Sequence, residues 1–308
     1  MMRQLLLWAS ENAWLRERMP RYGFVRRAVS RFMPGEDVGA AFAATVELQK
    51  SRIGTVLTLL GENVKDEADT AAVVRHYMEV MQAIKERGLD AEVSVKLTHL
   101  GLDLDPALAE RNLVAIATRA ATLGQEVAVD MEGSAYTERT LALYRRVRAA
   151  HANVGLCLQA YLRRTAADLE SLLPLQPMIR LVKGAYAEPA TIAFPDKAEV
   201  DAEFLKLAQR LLAAAGTNGG PRVVYGTHDR RLIADLIAWS AARGIPPTAY
   251  EFHLLYGIGR EEQKRLAAVG HRVRVLISYG SAWFPWYMRR LAERPANVWF
   301  VVRNLFGG

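Results

Sequence analysis

Cysteine is almost missing: the 308 residues contain one, Cys157. A single thiol excludes an intrachain disulfide framework, gives no sign of a zinc site, and suits a reducing compartment. Within VGLCLQAY it reads as a small buried hydrophobe. No apolar run approaches the roughly 18–20 residues of a membrane span. The stretch MMRQLLLWASENAW lacks the cationic start and long apolar middle of a signal peptide, so the chain is expected in the cytoplasm. Neither G-x-G-x-x-G nor G-x-x-x-x-G-K-[ST] occurs, which removes the phosphate turn that usually advertises an open doubly wound sheet. The six histidines are far apart, with no H-x-x-x-H or H-E-x-x-H, so no local metal motif is present.

What the chain does have is apolar content, 51% of residues, enough for a large core. Its net charge of +7 is unevenly spread: residues 1–35 hold seven arginines against Glu11 and Glu17. With Leu5, Leu6, Leu7, Trp8, Trp14 and Phe24 interleaved, this segment is a candidate peripheral contact for the anionic inner face of the cell membrane. The competing reading is a helix packed on the domain with its arginines in water. Basic residues elsewhere are scattered, and no nucleic-acid partner is expected. Residues 1–45 are expected to form an N-terminal helical segment packed on a catalytic barrel made by 46–308. Removing about the first 35 residues is then expected to leave the barrel's chemistry intact.

Beyond residue 50, eight short β-branched runs alternate with helix-like stretches: IGTVLTLLGE (53–62), AEVSVKLT (91–98), EVAVDME (126–132), VGLCLQAY (154–161), IRLVKGAY (179–186), RVVYGTHD (222–229), YEFHLLYG (250–257) and RVRVLISYG (272–280). Strand and helix in alternation imply right-handed parallel crossovers, and eight such units close a (βα)8 barrel of the α/β class. Glu62, Lys96, Asp130, Gln159, Lys183, His228 and Ser278 fall at the ends of these runs, where barrel enzymes carry their chemistry. Asp130 and Glu132, two residues apart on one expected strand, would share a face, either as a carboxylate pair like that of glycoside hydrolases or, as is commoner, as one functional acid with a capping neighbour. Lys96 or Lys183 at a barrel mouth is a candidate Schiff-base amine.

The stretch SAWFPWYMRRLAERP reads as a final helix, with Ser281 as cap, Pro285 in the first turn and Pro295 marking the end. Helical spacing places Trp286, Arg289, Arg290 and Glu293 on one side. Two guanidinium groups converging on one point suit a small carboxylate.

Taken together, TLLGE, SVKLTHLGLD, VDMEGS, LQAYLRRT, RLVKGAY, AFPDK, GTHD, EFHLLYG and RRLAERPAN resemble the proline dehydrogenase family over nearly all of residues 50–300. The resemblance implies a distorted, flavin-bearing (βα)8 barrel with its last helix over the mouth, oxidising L-proline to 1-pyrroline-5-carboxylate. It implies that Lys96, Asp130 and Tyr186 belong to the substrate pocket, with Leu255 as apolar wall and Arg289 and Arg290 on the substrate carboxylate. Glu62 matches a carboxylate that pairs with Arg289. Gln159, Arg180, Val182, Lys183, Gly184, Ala185, Thr227 and His228 match positions that hold FAD, with Arg180 near the flavin N5. Asp130 is also counted with the cofactor-binding set, Lys197 is a further candidate for the phosphates, and Glu293 for the cofactor or the arginines. Trp286 and Leu276 stand where the family commonly has tyrosine, and the missing hydroxyl bears on discrimination against hydroxyproline. His253 replaces a more usual glutamine beside the cofactor. The family passes electrons to membrane quinone, and the length here implies the monofunctional form, whose product leaves for a separate 1-pyrroline-5-carboxylate dehydrogenase.

Overall fold

The computed structural model describes residues 8, 12–19, 22, 29–61, 64–216 and 220–293, with the backbone alone described at Ala13, Arg16, Glu17, Arg289, Arg290, Ala292 and Glu293. In chain order the elements are α1 (Ala13–Arg18), α2 (Val38–Gln49), β1 (Gly54–Leu59), α3 (Glu67–Glu86), β2 (Ala91–Val95), α4 (Pro106–Leu123), β3 (Val127–Val129), α5 (Ser134–Ala150), β4 (Val154–Gln159), α6 (Thr165–Leu172), β5 (Met178–Val182), α7 (Lys197–Ala215), β6 (Arg222–Gly226), α8 (Arg230–Ala241), β7 (Tyr250–Leu255), α9 (Arg260–Ala268), β8 (Arg272–Tyr279) and α10 (Trp283–Glu293). The eight strands close in sequence order, and every neighbouring pair, β8 with β1 included, is parallel. Each expected run contains one strand. Helix α2 runs through residue 45, where the helical segment was expected to give way to the barrel.

Local chemistry explains the punctuation. At α4, Asp105 accepts hydrogen bonds from the Ala107 and Leu108 amides, Pro106 supplies a pre-set φ in the first turn, and Gly124 ends the helix in the left-handed region at φ 69°. An N-cap of this kind contributes about 1 kcal/mol. Gly133 cannot cap α5 with a side chain, and Glu188, from the segment after β5, does it instead, accepting from the Ser134 amide at 2.7 Å and its hydroxyl at 2.5 Å.

The two faces of the barrel wall carry different residues. Outward-facing Leu57, Val93, Val95, Val127, Val129, Leu156, Leu158, Ile179, Leu181 and Phe252 form the main core with the helices. Inside the barrel lies a small apolar layer of Ala128, Met178 and Val224. Gly155 makes room for it, because a Cβ there would collide with Met178.

At the strand starts, below that layer, Arg222 pairs with Glu92 at 2.7 Å, Glu251 at 2.8 Å and Glu126, while Arg274 pairs with Asp90 at 2.7 Å, Glu92 at 3.2 Å and Glu251 at 3.5 Å. This charged plug closes the end opposite the strand termini. It is legible in the sequence only as alternation, each member two residues from an inward neighbour on the same strand.

A separate apolar cluster covers the other end: Val29, Phe32 and Met33 pack with Leu60, Trp283, Phe284, Trp286, Tyr287 and Leu291. Phe32 and Tyr287 lie 6.0 Å apart between ring centroids, and the Trp283 indole N–H donates to Glu36 at 3.0 Å. Gly257, at φ 76°, accommodates the strap formed by residues 29–36, since a Cβ there would collide with the Arg31 carbonyl. The strap therefore holds the helix that carries Arg289 and Arg290, which changes the expectation for truncation. Removing residues 1–35 should loosen α10 and lower the melting temperature, because the helix loses three buried apolar partners worth about 1.5–3 kcal/mol each. Thermal melts of the truncated and full-length chains check this, and an unchanged Tm would show that α10 seats itself.

Candidate active site

Lys96 directly after β2, Asp130 directly after β3 and Arg180 in the middle of β5 come together inside the barrel. Lys96 Nζ meets Asp130 Oδ2 at 3.0 Å, and the other carboxylate oxygen takes hydrogen bonds from Arg180 Nη2 and from the Ser94 hydroxyl at 2.7 Å. Arg180 is fully enclosed at 3% exposure, whereas Lys96 and Asp130 retain 12% and 16%. Burial pushes the Asp130 carboxyl up, but the charges of Lys96 and Arg180 outweigh it and hold the carboxyl at about 2. Two cations around one carboxylate leave a single excess positive charge at the barrel mouth.

Asp130 and Glu132 do not form the pair expected of them. Strand β3 ends at Val129, so both residues lie beyond it. Asp130 turns to Lys96 and Arg180, while Glu132 accepts from the Thr98 amide at 3.1 Å and its hydroxyl at 2.6 Å. With each carboxylate committed to different donors, this pair does not form the arrangement of a glycoside hydrolase. The Schiff-base reading fails for a similar reason. Lys96 is bound by Asp130, and Lys183 Nζ contacts Asp201 at 2.5 Å and Asp229 at 2.8 Å, so each amine is committed to carboxylates.

Lys197 converges on the same two carboxylates, meeting Asp229 at 3.1 Å as well as Asp201. Burial would raise the Asp201 and Asp229 carboxyls, yet hydrogen bonds from the two lysines pull both below the usual carboxylate range. The two lysines are thus balanced by two acids that the run of strand-end residues did not single out. Asp229 was in view within GTHD, and Asp201 follows Lys197 by one helical turn.

Among the remaining expected site residues, Gln159 is buried, with Nε2 donating to the Met131 carbonyl at 3.4 Å. Thr227 is buried and accepts from the Asp229 amide at 3.1 Å. His228 Nε2 accepts from the Leu255 amide at 2.8 Å, which places its ring beside the expected apolar wall. Val182, Lys183, Gly184, Ala185 and Tyr186 continue from β5 as a half-buried segment. Gly184, at φ 114°, lies so close to the Tyr161 ring that any side chain would collide with it. Trp286 is buried in the cluster over the mouth, and Leu276 is half-buried on β8. Glu62 lies outside the described residues, as do the side chains of Arg289, Arg290 and Glu293. Helix α10 starts at Trp283, so Ser281 stands two residues ahead of it, not at the capping position, and Pro285 falls in the first turn as expected.

Buried polar atoms near the strand ends without a hydrogen-bond partner among the described residues include Gln159 Oε1, Arg180 Nη1 and Ser278 Oγ. They offer an acceptor, a donor and a hydroxyl within one enclosed end of the barrel. A flat heterocycle with both donor and acceptor edges would satisfy them, and FAD carries such a ring. Among the described residues no group of histidine, cysteine and acidic side chains is placed to hold a metal ion, and no helix is long and apolar enough to cross a membrane.

His253 occupies the barrel interior between the plug and the site, 3.4 Å from Glu251. Burial lowers its pKa to about 4, against the opposing pull of Glu251. The folded pKa lies below the ordinary 6.5, so the unfolded chain binds more protons between those values, and stability falls as pH drops from 6.5 towards 4. His253→Gln should remove this loss of stability, about 3 kcal/mol between the ends of the window, and so flatten the fall of Tm. Thermal melts from pH 7 to 4 test this, and parallel curves for both proteins would exclude it.

Comparisons with known proteins bear on what this end of the barrel does. The proline dehydrogenase family model matches residues 41–303. Proline dehydrogenase 1 of Bacillus subtilis (strain 168) is 38% identical over 305 residues, covering 99% of both chains. Proline dehydrogenase of Deinococcus radiodurans is 38% identical over 284 residues, covering 90% of both. Among solved structures, proline utilization A from Bdellovibrio bacteriovorus superposes with a TM-score of 0.81 at 21% identity, over 98% of this chain. That likeness speaks to the fold alone, and the present chain spans 39% of that protein's length. The family match over most of the barrel and the near full-length relatives establish that the chain belongs to the proline dehydrogenase family.

Proposed function

We propose that the protein oxidises L-proline to 1-pyrroline-5-carboxylate with FAD as cofactor, and that its electrons pass to membrane quinone. The observation that carries this reading is the Lys96, Asp130 and Arg180 cluster, with its excess positive charge at the strand ends of a barrel of this family. Bound FAD would supply the hydride acceptor. Gln159, Arg180, Val182 to Ala185, Thr227 and His228 are assigned to holding it, and Glu293 to the same site. Lys183 and Lys197 are the candidates for its phosphates, with their charge moderated by Asp201 and Asp229.

The protein's own residues do the positioning. Lys96, Asp130, Tyr186 and Leu255 shape the substrate pocket, and Arg289 and Arg290 on α10 take the carboxylate, with Glu62 assigned to Arg289. Hydride leaves the carbon next to the ring nitrogen, which requires that nitrogen unprotonated and the ring fixed in one orientation. A positive barrel mouth disfavours the protonated amine and so helps set that state. The product is then consumed by a separate 1-pyrroline-5-carboxylate dehydrogenase. The enzyme is assigned to the cytoplasm, with residues 1–35 as the contact to the inner face of the membrane, apart from Val29, Phe32 and Met33, which pack on α10.

The visible spectrum is the direct test. The purified protein should be yellow and bleach on anaerobic addition of L-proline, with D-proline far slower. A colourless protein that takes up no FAD ends the reading. Arg290→Lys keeps the charge but loses the planar fork, so affinity for proline should fall roughly tenfold to a hundredfold, mainly in KM. A folded, flavin-loaded variant with unchanged KM would remove Arg290 from the carboxylate.

A further inference from the structure

The Ser94 side chain lies where Asp130 and Arg180 meet. Its Oγ accepts from Arg180 Nη2 at 2.9 Å and stands 2.7 Å from Asp130 Oδ1 and 3.3 Å from the Ala128 carbonyl. A guanidinium only donates and an ionised carboxylate only accepts. The single hydroxyl proton therefore has one good destination, the Asp130 oxygen, and the chain of bonds runs from Arg180 through Ser94 to Asp130. The residue is buried.

The backbone of Ser94 is fixed from outside the barrel. Ladder pairing between β1 and β2 runs from Thr55 opposite Ala91 to Leu57 opposite Val93 and goes no further. The Thr55 amide donates to the Asp90 carbonyl, so continuing the same step would take the Leu59 amide to the Ser94 carbonyl. In place of that bond stands the Tyr77 hydroxyl of α3, which accepts from the Leu59 amide at 3.1 Å and donates to the Ser94 carbonyl at 2.9 Å. Tyr77 is 1% exposed, and its hydroxyl fills the gap where the two strands splay. One residue thus has its carbonyl tied to a helix and its hydroxyl tied to the cluster.

We propose that Ser94 is a positioning residue: anchored by Tyr77, it holds the Nη2 side of Arg180 against Asp130, so that the unpartnered Nη1 side is kept facing the cofactor. The proposal rests on the flavin reading given above, in which Arg180 faces the redox-active ring. Without the Ser94 hydroxyl, Arg180 keeps its ion pair but loses the second contact that sets its rotation. Its positive charge should then sit less favourably for the reduced cofactor.

The test compares the FAD-loaded protein with Ser94→Ala. The variant should retain FAD, show a more negative flavin midpoint potential, and reduce about tenfold more slowly at saturating proline, as expected for one lost hydrogen bond to a charged group. KM for proline should stay within about twofold, because the carboxylate is bound on α10. A merely structural role would lower Tm and leave the potential in place, and that result would overturn the proposal. Should Ser94→Ala fail to fold or to hold FAD, Tyr77→Phe decides the matter, since it leaves the Ser94 hydroxyl in place and loosens only its carbonyl. A smaller shift of potential in the same direction supports the proposal, and an unchanged potential overturns it. If the unsubstituted protein is not bleached by proline, the flavin reading has failed. If it is bleached and Ser94→Ala is indistinguishable from it, only the role of Ser94 has failed.

Discussion

Asp130→Ala is expected to lower kcat/KM for proline by at least a hundredfold and to destabilise the protein by about 3–5 kcal/mol, the usual consequence of removing one partner from a buried ion pair. The substitution strands two cations, Arg180 at 3% and Lys96 at 12% exposure, with no carboxylate between them. Asp130→Asn should recover part of the stability, because an amide oxygen can still accept from Ser94 and Arg180 while the charge stays lost. The pH dependence separates these terms. With its folded pKa near 2 and an ordinary value of 3.8, Asp130 contributes stability that is fully present above about pH 4 and is lost as pH falls through 2. That contribution is about 2 kcal/mol, smaller than the loss expected for alanine. The difference is the burial of two cations left without their partner. Chemical denaturation at pH 7 and pH 3 measures both, and equal stability of Asp130→Ala and the unsubstituted protein at pH 7 would refute the account.

Arg222→Met carries the second large effect, at the opposite end of the barrel. Arg222 is the shared partner of Glu92, Glu126 and Glu251, and without it Arg274 alone faces Glu92 and Glu251. Burial would raise the Glu251 carboxyl, but hydrogen bonds to His253 and Arg222 hold it well below the usual range. In the unsubstituted protein that depressed value adds stability above about pH 4.5 and removes it as pH falls. The variant should lose about 3–5 kcal/mol at pH 7 and regain part of it on acidification, since protonated glutamic acids no longer repel one another. Its Tm should therefore rise or stay level between pH 7 and 5, a window in which the Glu251 contribution of the unsubstituted protein is still fully present. Proline KM in the surviving folded fraction should be unchanged, because the plug lies across the apolar layer of Ala128, Met178 and Val224 from the strand ends.

The order and type of the elements were legible because each strand is a short β-branched run between helical stretches, and closure in sequence order followed from the count of eight. The strand-end position of Lys96, Asp130, Gln159 and His228 was legible for the same reason. Strand length was not. The period of two continues through Asp130 and Glu132, but the β3 ladder stops at Val129, and the two carboxylates turn to different partners. The plug was missed because Glu92, Arg222, Glu251 and Arg274 look like ordinary charged flanks when each strand is read alone. Only barrel closure brings residues 92 and 251 to one arginine. Ser94 and Tyr77 were missed because their roles depend on a gap between two strands, which no spacing along the chain records. The strap of residues 29–36 was read by its charge, whereas Val29, Phe32 and Met33 make its contact with the barrel.

Cys157 lies inside the barrel wall, buried next to Arg180 and Asp130, and burial raises its thiol pKa. As the chain's lone cysteine it is a built-in chemical reporter whose label can attach only when the barrel opens. The reaction of the native protein with a thiol reagent should be slow, and its rate should scale with the equilibrium population of open barrel when closing outpaces labelling. Ligands that bind the closed barrel would slow it in proportion to their occupancy. One unmodified residue thus provides a labelling clock for site occupancy that needs neither turnover nor an introduced probe.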